Sequence, residues 1–312
     1  MPVQRPFKFA AMVRGGDTGQ EFLDRVRQIE SLGYNQVAMV DHFNPTYAPV
    51  PSLTAAAIVA PSLRVLTTVF DNDFRNPALL AKEMATLDQL SDGRVDVGLG
   101  AGWLRRDYEQ SGIRYDRPGV RISRMEEALT VMKGAWSGES FSFNGEHYTI
   151  KDLDGFPAPL QQPHPPIYIG GGGNRMLEIA GREADIIGVH VRFGSERAVT
   201  GEDTYRDEMA RKIDLIREAA GSRFDQIELA LLLFAAKVVD SPAARDAEVS
   251  AIAERIGLTP EAVAASPYYL IGSETDLAER IQGLRETFGV SHFTITADDA
   301  DGFAPVVAQL AG

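Results

Sequence analysis

The chain has 312 residues, 44% hydrophobic and 24% charged, which is enough apolar material for a large core in an ordinary globular protein. Its 44 acidic side chains outnumber 31 basic ones, and a net charge of −13 argues against a nucleic-acid-binding or anionic-membrane surface. Cysteine is absent, which excludes disulfides, thiolate metal sites and a Cys nucleophile, so redox chemistry requires a cofactor.

The first stretch, MPVQRPFKFAAMV, carries an apolar run too short, and broken by Lys8, for a leader or a membrane span. A cytoplasmic protein is expected. From there β-rich apolar runs alternate with segments of helical period. The runs cover 7–13, 36–40, 64–70, 94–100, 166–170, 184–189, 227–239 and 292–296. Between the first two, Phe22, Val26, Ile29 and Leu32 fall on one helical stripe that Gly33 can stop. Further helical candidates are NPALLAKEMATLDQLSDG, RISRMEEALTVMKGAWSG, NRMLEIAGREA, EDTYRDEMARKIDLIREAAG and ETDLAERIQGLRETFG.

Strands that are apolar on both faces and alternate with helices imply a parallel sheet covered by helices. Eight repeats without a linker predict one α/β domain over 1–312, a (β/α)8 TIM-type barrel. Two stretches depart from the repeat. ESFSFNGEHYTIKD, before the fifth run, reads as a hairpin about Asn144-Gly145 and is expected at the N-terminal face. HVRFGSERAVTGEDT, after the sixth run, is a loop insertion over the C-terminal face, where barrel chemistry is built.

That rule sorts the polar residues. His147, His164 and His292 fall on the wrong side for chemistry. His42 follows the second run beside Asp41; it either packs under a loop or performs proton transfer at the mouth. His190 and Arg192 follow the sixth run. The third run leads to Asp71, Asn72, Asp73 and Arg75, ahead of a helix with Asn76 as cap and Pro77 as first residue. GLGAGW, after the fourth run, brings Trp103 to the rim either as a core residue or as a flat wall for a ring. After the fifth run, Gly170, Gly171, Gly172 and Gly173 precede a helix that starts near Asn174 or Arg175. Free N–H groups at such a helix start favour an anion, particularly phosphate, with Arg175 adding charge; a turn requiring positive φ is the alternative. No convincing metal constellation is present.

Together, LGYNQVAMVDHF, NPALLAKEMATLDQLSDGRVDVGLGAGW, DRPGVRISRMEEALTVM, FNGEHYTI, PPIYIGGGGNRMLEIAGREADII and GSETDLAERIQGLRETFGVSHF resemble the bacterial luciferase-like superfamily of flavin- and deazaflavin-dependent enzymes. Within it the chain is most similar to coenzyme F420-dependent oxidoreductases. The resemblance implies a homodimeric barrel that holds the cofactor at its C-terminal mouth, and a cis peptide bond at Thr68-Val69 against the ring. It implies His42 and Asp41 near the deazaflavin as catalytic residues, and a cofactor phosphate on GGGGNR. Gly100, Gly102 and Trp103 would flank the cofactor, and Phe43, Phe70, Trp103, His190 and Arg192 would line the substrate pocket. Trp103 replaces an acid that F420 sugar-phosphate dehydrogenases carry, and the tryptophan they have near Thr46 is missing, so a sugar phosphate is not the expected substrate.

The function that follows is hydride transfer between F420 and a small, largely apolar organic molecule. The alternatives are an FMNH2-dependent monooxygenase, with FMN as cofactor, and a non-catalytic flavin-binding protein. Arg75, Arg105, Arg106, Arg175, Arg192 and Arg197 cluster in the segments after strands, which suits the acidic tail of F420.

Overall fold

The computed structural model describes residues 5–195 and 201–310. The elements begin with β1 (Lys8–Val13), α1 (Gly19–Ser31), β2 (Gln36–Met39), α2 (Pro49–Val59), β3 (Arg64–Thr67), β4 (Phe70–Asp71) and α3 (Pro77–Leu90). They continue with β5 (Val95–Gly100), α4 (Arg105–Ser111), α5 (Pro118–Trp136), β6 (Phe141–Asn144), β7 (Thr149–Leu153), β8 (Ile167–Gly171), α6 (Asn174–Glu183) and β9 (Ile186–Val189). The last are α7 (Arg206–Ala220), β10 (Glu228–Leu232), β11 (Ala235–Val238), α8 (Pro242–Ile256), α9 (Pro260–Ala265), β12 (Tyr269–Gly272), α10 (Glu274–Phe288), β13 (Val290–Thr296) and α11 (Ala297–Leu310).

Eight of these strands form a closed parallel barrel in the order β1, β2, β3, β5, β8, β9, β10, β13, with β13 pairing back to β1. Closure rests on strand alternation. Even-numbered strand residues, among them Ala10, Ala38, Leu66, Tyr168 and Ala230, make one buried cluster inside the barrel. Odd-numbered neighbours such as Phe9, Val37, Val65, Ile169, Leu231 and Phe293 belong to the larger cluster under the helices. Helix ends follow local chemistry: Thr18 and Glu21 form a capping box on α1, and Ser273 and Asp276 do so on α10. No helix among the described residues is long and apolar enough to cross a membrane.

Two expectations change. The run 227–239 is two strands, because the chain switches partners between consecutive residues: Leu233 donates to Thr294 O, Phe234 to Tyr268 O. β11 thereby leaves the barrel and pairs in parallel with β12. The hairpin of β6 and β7 does not stay at the N-terminal face. It runs back along α5, where Glu127 accepts the N–H groups of Glu146, His147 and Tyr148, and Tyr148 Oη lies 3.3 Å from Asn72 Nδ2. Satisfying three otherwise free donors with one carboxylate holds the hairpin there.

Candidate active site

The strand ends surround a cavity of about 1390 Å³, larger than the few hundred to 1,000 Å³ of a typical small-molecule pocket. Its floor comes from the break between β3 and β4, where the Thr68-Val69 peptide is cis. Glycines of β5 make the break possible. A Cβ on Gly98 would lie 1.7 Å from Thr67 O, and one on Gly100 would lie 2.5 Å from Val69 Cγ2. Gly102 has φ +69°, and a Cβ there would sit 1.9 Å from the Tyr108 hydroxyl. The GLGAG spacing thus admits Val69, Asp71 and Tyr108 to the mouth.

His42 lines this cavity, and its partner is not Asp41. Its Nδ1 lies 2.5 Å from Asp107 Oδ2, and Asp107 Oδ1 accepts the Phe43 N–H at 3.2 Å. Asp107, the third residue of α4, is buried, so one carboxylate fixes both the ring and the backbone that carries it. A carboxylate accepts only; Nδ1 therefore carries the proton, and Nε2 has no partner among the described residues. Asp41 is instead clamped by both terminal nitrogens of Arg75 and accepts the Asp71 N–H at 3.2 Å. It ties the end of β2 to the segment after β4.

Beside them, Asp71 lines the cavity and accepts from Tyr108 Oη at 3.0 Å and from the Asp73 N–H. Burial pushes its carboxyl up to about 7, with Asp73 adding to the effect while the hydrogen bonds oppose it. The mouth therefore holds, in Asp71, a carboxyl able to change protonation near neutrality, to which sequence reasoning had given no role.

Only one of the four consecutive glycines is open. Cβ atoms on Gly170, Gly171 and Gly172 would meet the His190 ring at 2.8 Å, Met176 Cβ at 2.9 Å and the Arg192 backbone nitrogen at 2.6 Å. Nothing stands near Gly173, the N-cap of α6, and no side chain caps that helix. Its first N–H groups remain free at the rim. Arg175 is turned away, bonded to Gly119 O and Glu126, and Asn174 accepts from Arg211; neither lines the cavity.

Trp103 forms the wall, edge-on to His42 at 5.6 Å and stacked on Phe193 at 4.9 Å. Phe70 also lines the cavity, under Arg75, whereas Phe43 packs on Phe74 outside it. His190 lies deeper, its Nε2 3.0 Å from Tyr168 Oη; burial, helped by Lys212, lowers its pKa to about 4 and keeps it neutral. Arg192, at the rim, bonds through its backbone N–H to Asp203 and pairs with Glu208. Arg197 lies outside the described residues. Sequence reasoning missed Asp107, Phe193 and Phe234; Asp107 follows two arginines, a context that reads as a surface ion pair.

The luciferase-like monooxygenase family profile matches residues 4–292. The chain belongs to that family. A curated relative, the FMNH(2)-dependent dimethylsulfone monooxygenase of Pseudomonas putida, is 35% identical over 39% of this chain and 34% of its own length. The F420-dependent glucose-6-phosphate dehydrogenase of Microbacterium testaceum is 31% identical over 58% of this chain and 55% of its own. The chain thus spans between a third and about half the length of the relatives it matches. The F420-dependent tetrahydromethanopterin reductase of Methanopyrus kandleri superposes with a TM-score of 0.79 at 18% identity, covering 98% of this chain and 99% of that one. A monooxygenase from Streptomyces bottropensis gives 0.76 at 22%, covering 97% of each chain. These likenesses establish the barrel fold, and the curated relatives divide between F420 and FMN chemistry.

Proposed function

We propose that the protein is an F420-dependent oxidoreductase that transfers a hydride between the deazaflavin and a small, largely apolar organic substrate. The observation that carries this reading is one cavity with three features: Val69 in its floor, the His42–Asp107 pair on one side and the uncapped start of α6 on another. The residues fit the cofactor. Free N–H groups beside the open Gly173 suit a phosphate. Arg105 and Arg192 stand exposed on the rim, where an acidic tail would find cations.

Bound F420 supplies hydride transfer at its ring. This chain's part is to hold both partners, to exclude water with Trp103 and Phe193, and to manage the accompanying proton. His42 does so at Nε2, because Asp107 occupies Nδ1. Asp41 acts here as the anchor of Arg75 rather than as an acid.

The similarity to an FMNH(2)-dependent enzyme favours, as a second reading, a monooxygenase that activates oxygen. Anaerobic turnover of substrate with F420 supports the first reading; product formation that consumes oxygen and requires reduced FMN supports the second.

A further inference from the structure

Five arginines line the cavity, and their partners separate them. Arg121 donates to the carbonyls of Ala101 and Gly102, Arg192 pairs with Glu208, and Arg105 lies 4.8 Å from the Tyr115 ring centre. The guanidinium groups of Arg14 and Arg255 have no hydrogen bond or ion pair to any described residue, and both residues are exposed. Both line the one cavity. β1 and β8 are four strands apart in a ring of eight, so Arg14, just after β1, faces the glycine run from across the mouth. Arg255 lies in the last turn of α8, in the excursion between β11 and β12. Its charge acts on the hydroxyl of Tyr269, another cavity residue.

The wall on the side of Arg255 is apolar: Ile256 and Leu258 follow it in sequence, and Leu232, Phe234 and Tyr269 line the same cavity. The acids of the mouth do not neutralise the two arginines, since Asp41 is held by Arg75, Asp71 accepts from Tyr108 and the Asp73 N–H, and Asp107 is paired with His42. Two free guanidinium groups on one cavity, one of them beside an apolar wall, match a molecule with an apolar body and a carboxylate end, which arginine binds through paired donors. In a chain of net charge −13 the overall field repels anions, so the attraction must be local.

We infer that Arg14 and Arg255 are the substrate-selecting cations of the cavity and that the substrate is a carboxylate with an apolar body. This rests on the reading above in one respect, that the cofactor phosphate occupies the opposite, glycine rim.

The test is calorimetric titration of the F420-loaded protein with trans-cinnamate and its neutral counterpart, trans-cinnamamide. The acid should bind roughly tenfold more tightly than the amide, and added salt should erode that preference. In the Arg14→Met, Arg255→Met double variant the ratio should fall to about one, with amide and F420 affinities unchanged; lysine at both positions should restore part of it. An acid-to-amide ratio near one in the unmodified protein overturns the inference, as does failure of both compounds to bind at millimolar concentration. Loss of F420 affinity in the double variant equal to the loss of cinnamate affinity also overturns it, by assigning the arginines to the cofactor's tail. If F420 itself does not bind, the cofactor reading fails, and the same ratio in cofactor-free protein still decides the arginine assignment.

Discussion

Asp107 Oδ2 lies 2.5 Å from His42 Nδ1, so the imidazole at the mouth is oriented by a buried acid on α4 rather than by its sequence neighbour Asp41. Asp107→Asn should reverse the ring's tautomer, because an amide can present a donor to Nδ1. Nitrogen-15 spectra of labelled histidine should show the proton on Nδ1 in the unmodified protein and on Nε2 in the variant. An unchanged tautomer contradicts the assignment. His42→Ala should slow turnover by about 10²–10⁴-fold, the usual contribution of a positioned proton-transfer group, without unfolding the protein.

The glycine run offers a contrast within two adjacent positions. Gly172→Ala puts a methyl group 2.6 Å from the Arg192 nitrogen and should destabilise the fold by about 1–3 kcal/mol. Gly173→Ala meets open space and should leave the melting temperature nearly unchanged. Thermal melts of the two variants check this; equal losses would contradict the geometry.

Asp71 predicts a pH signature. Its folded pKa, raised to about 7 from 3.8, means that the folded protein holds this proton more firmly than the unfolded chain. The associated stability is complete below the unfolded value and is lost as pH rises through about 7. Asp71→Asn removes the titration, so the variant's melting temperature relative to the unmodified protein should climb between pH 5 and pH 8. A flat difference would contradict the burial argument.

At the opposite end of the barrel, Glu228 pairs with buried His292 at 2.9 Å and with Lys8 at 2.7 Å. Burial opposes ionisation, but these two partners outweigh it and hold the carboxyl down at about 2. Its stabilisation is present above the unfolded pKa and is lost as pH falls through about 2. Glu228→Gln strands a buried partner and should cost about 3–5 kcal/mol at pH 7. Denaturant unfolding should show that cost shrinking steadily below pH 4.5.

The barrel was legible because eight runs apolar on both faces alternate with segments of helical period, the pattern of a parallel sheet covered by helices. In β1, β2 and β10 the inward residues Ala10, Ala38 and Ala230 are small and their outward neighbours Phe9, Val37 and Leu231 are larger, whereas Leu66 and Tyr168 fill the interior elsewhere. The break at Leu233 and Phe234 was not legible, since both residues continue an apolar run and only the change of hydrogen-bond partner ends the strand. Placement at strand ends brought His42, Thr68, Val69, Trp103 and His190 to one cavity. It could not supply Asp107, whose partner is fixed by how α4 folds back, nor show that Arg175 would be captured by Glu126 on α5. The glycines were read as a cradle; three of the four serve the close approach of His190, Met176 and the Arg192 backbone, which depends on the neighbouring strand and helix rather than on the run itself.

The most direct test of the account is equilibrium binding of purified protein to F420 and to FMN, each in oxidised and reduced form, followed by fluorescence. Saturable F420 binding at least about tenfold tighter than FMN binding is expected, weakened by inorganic phosphate competing at the start of α6. Tighter binding of FMN, or no binding of either cofactor, would contradict it.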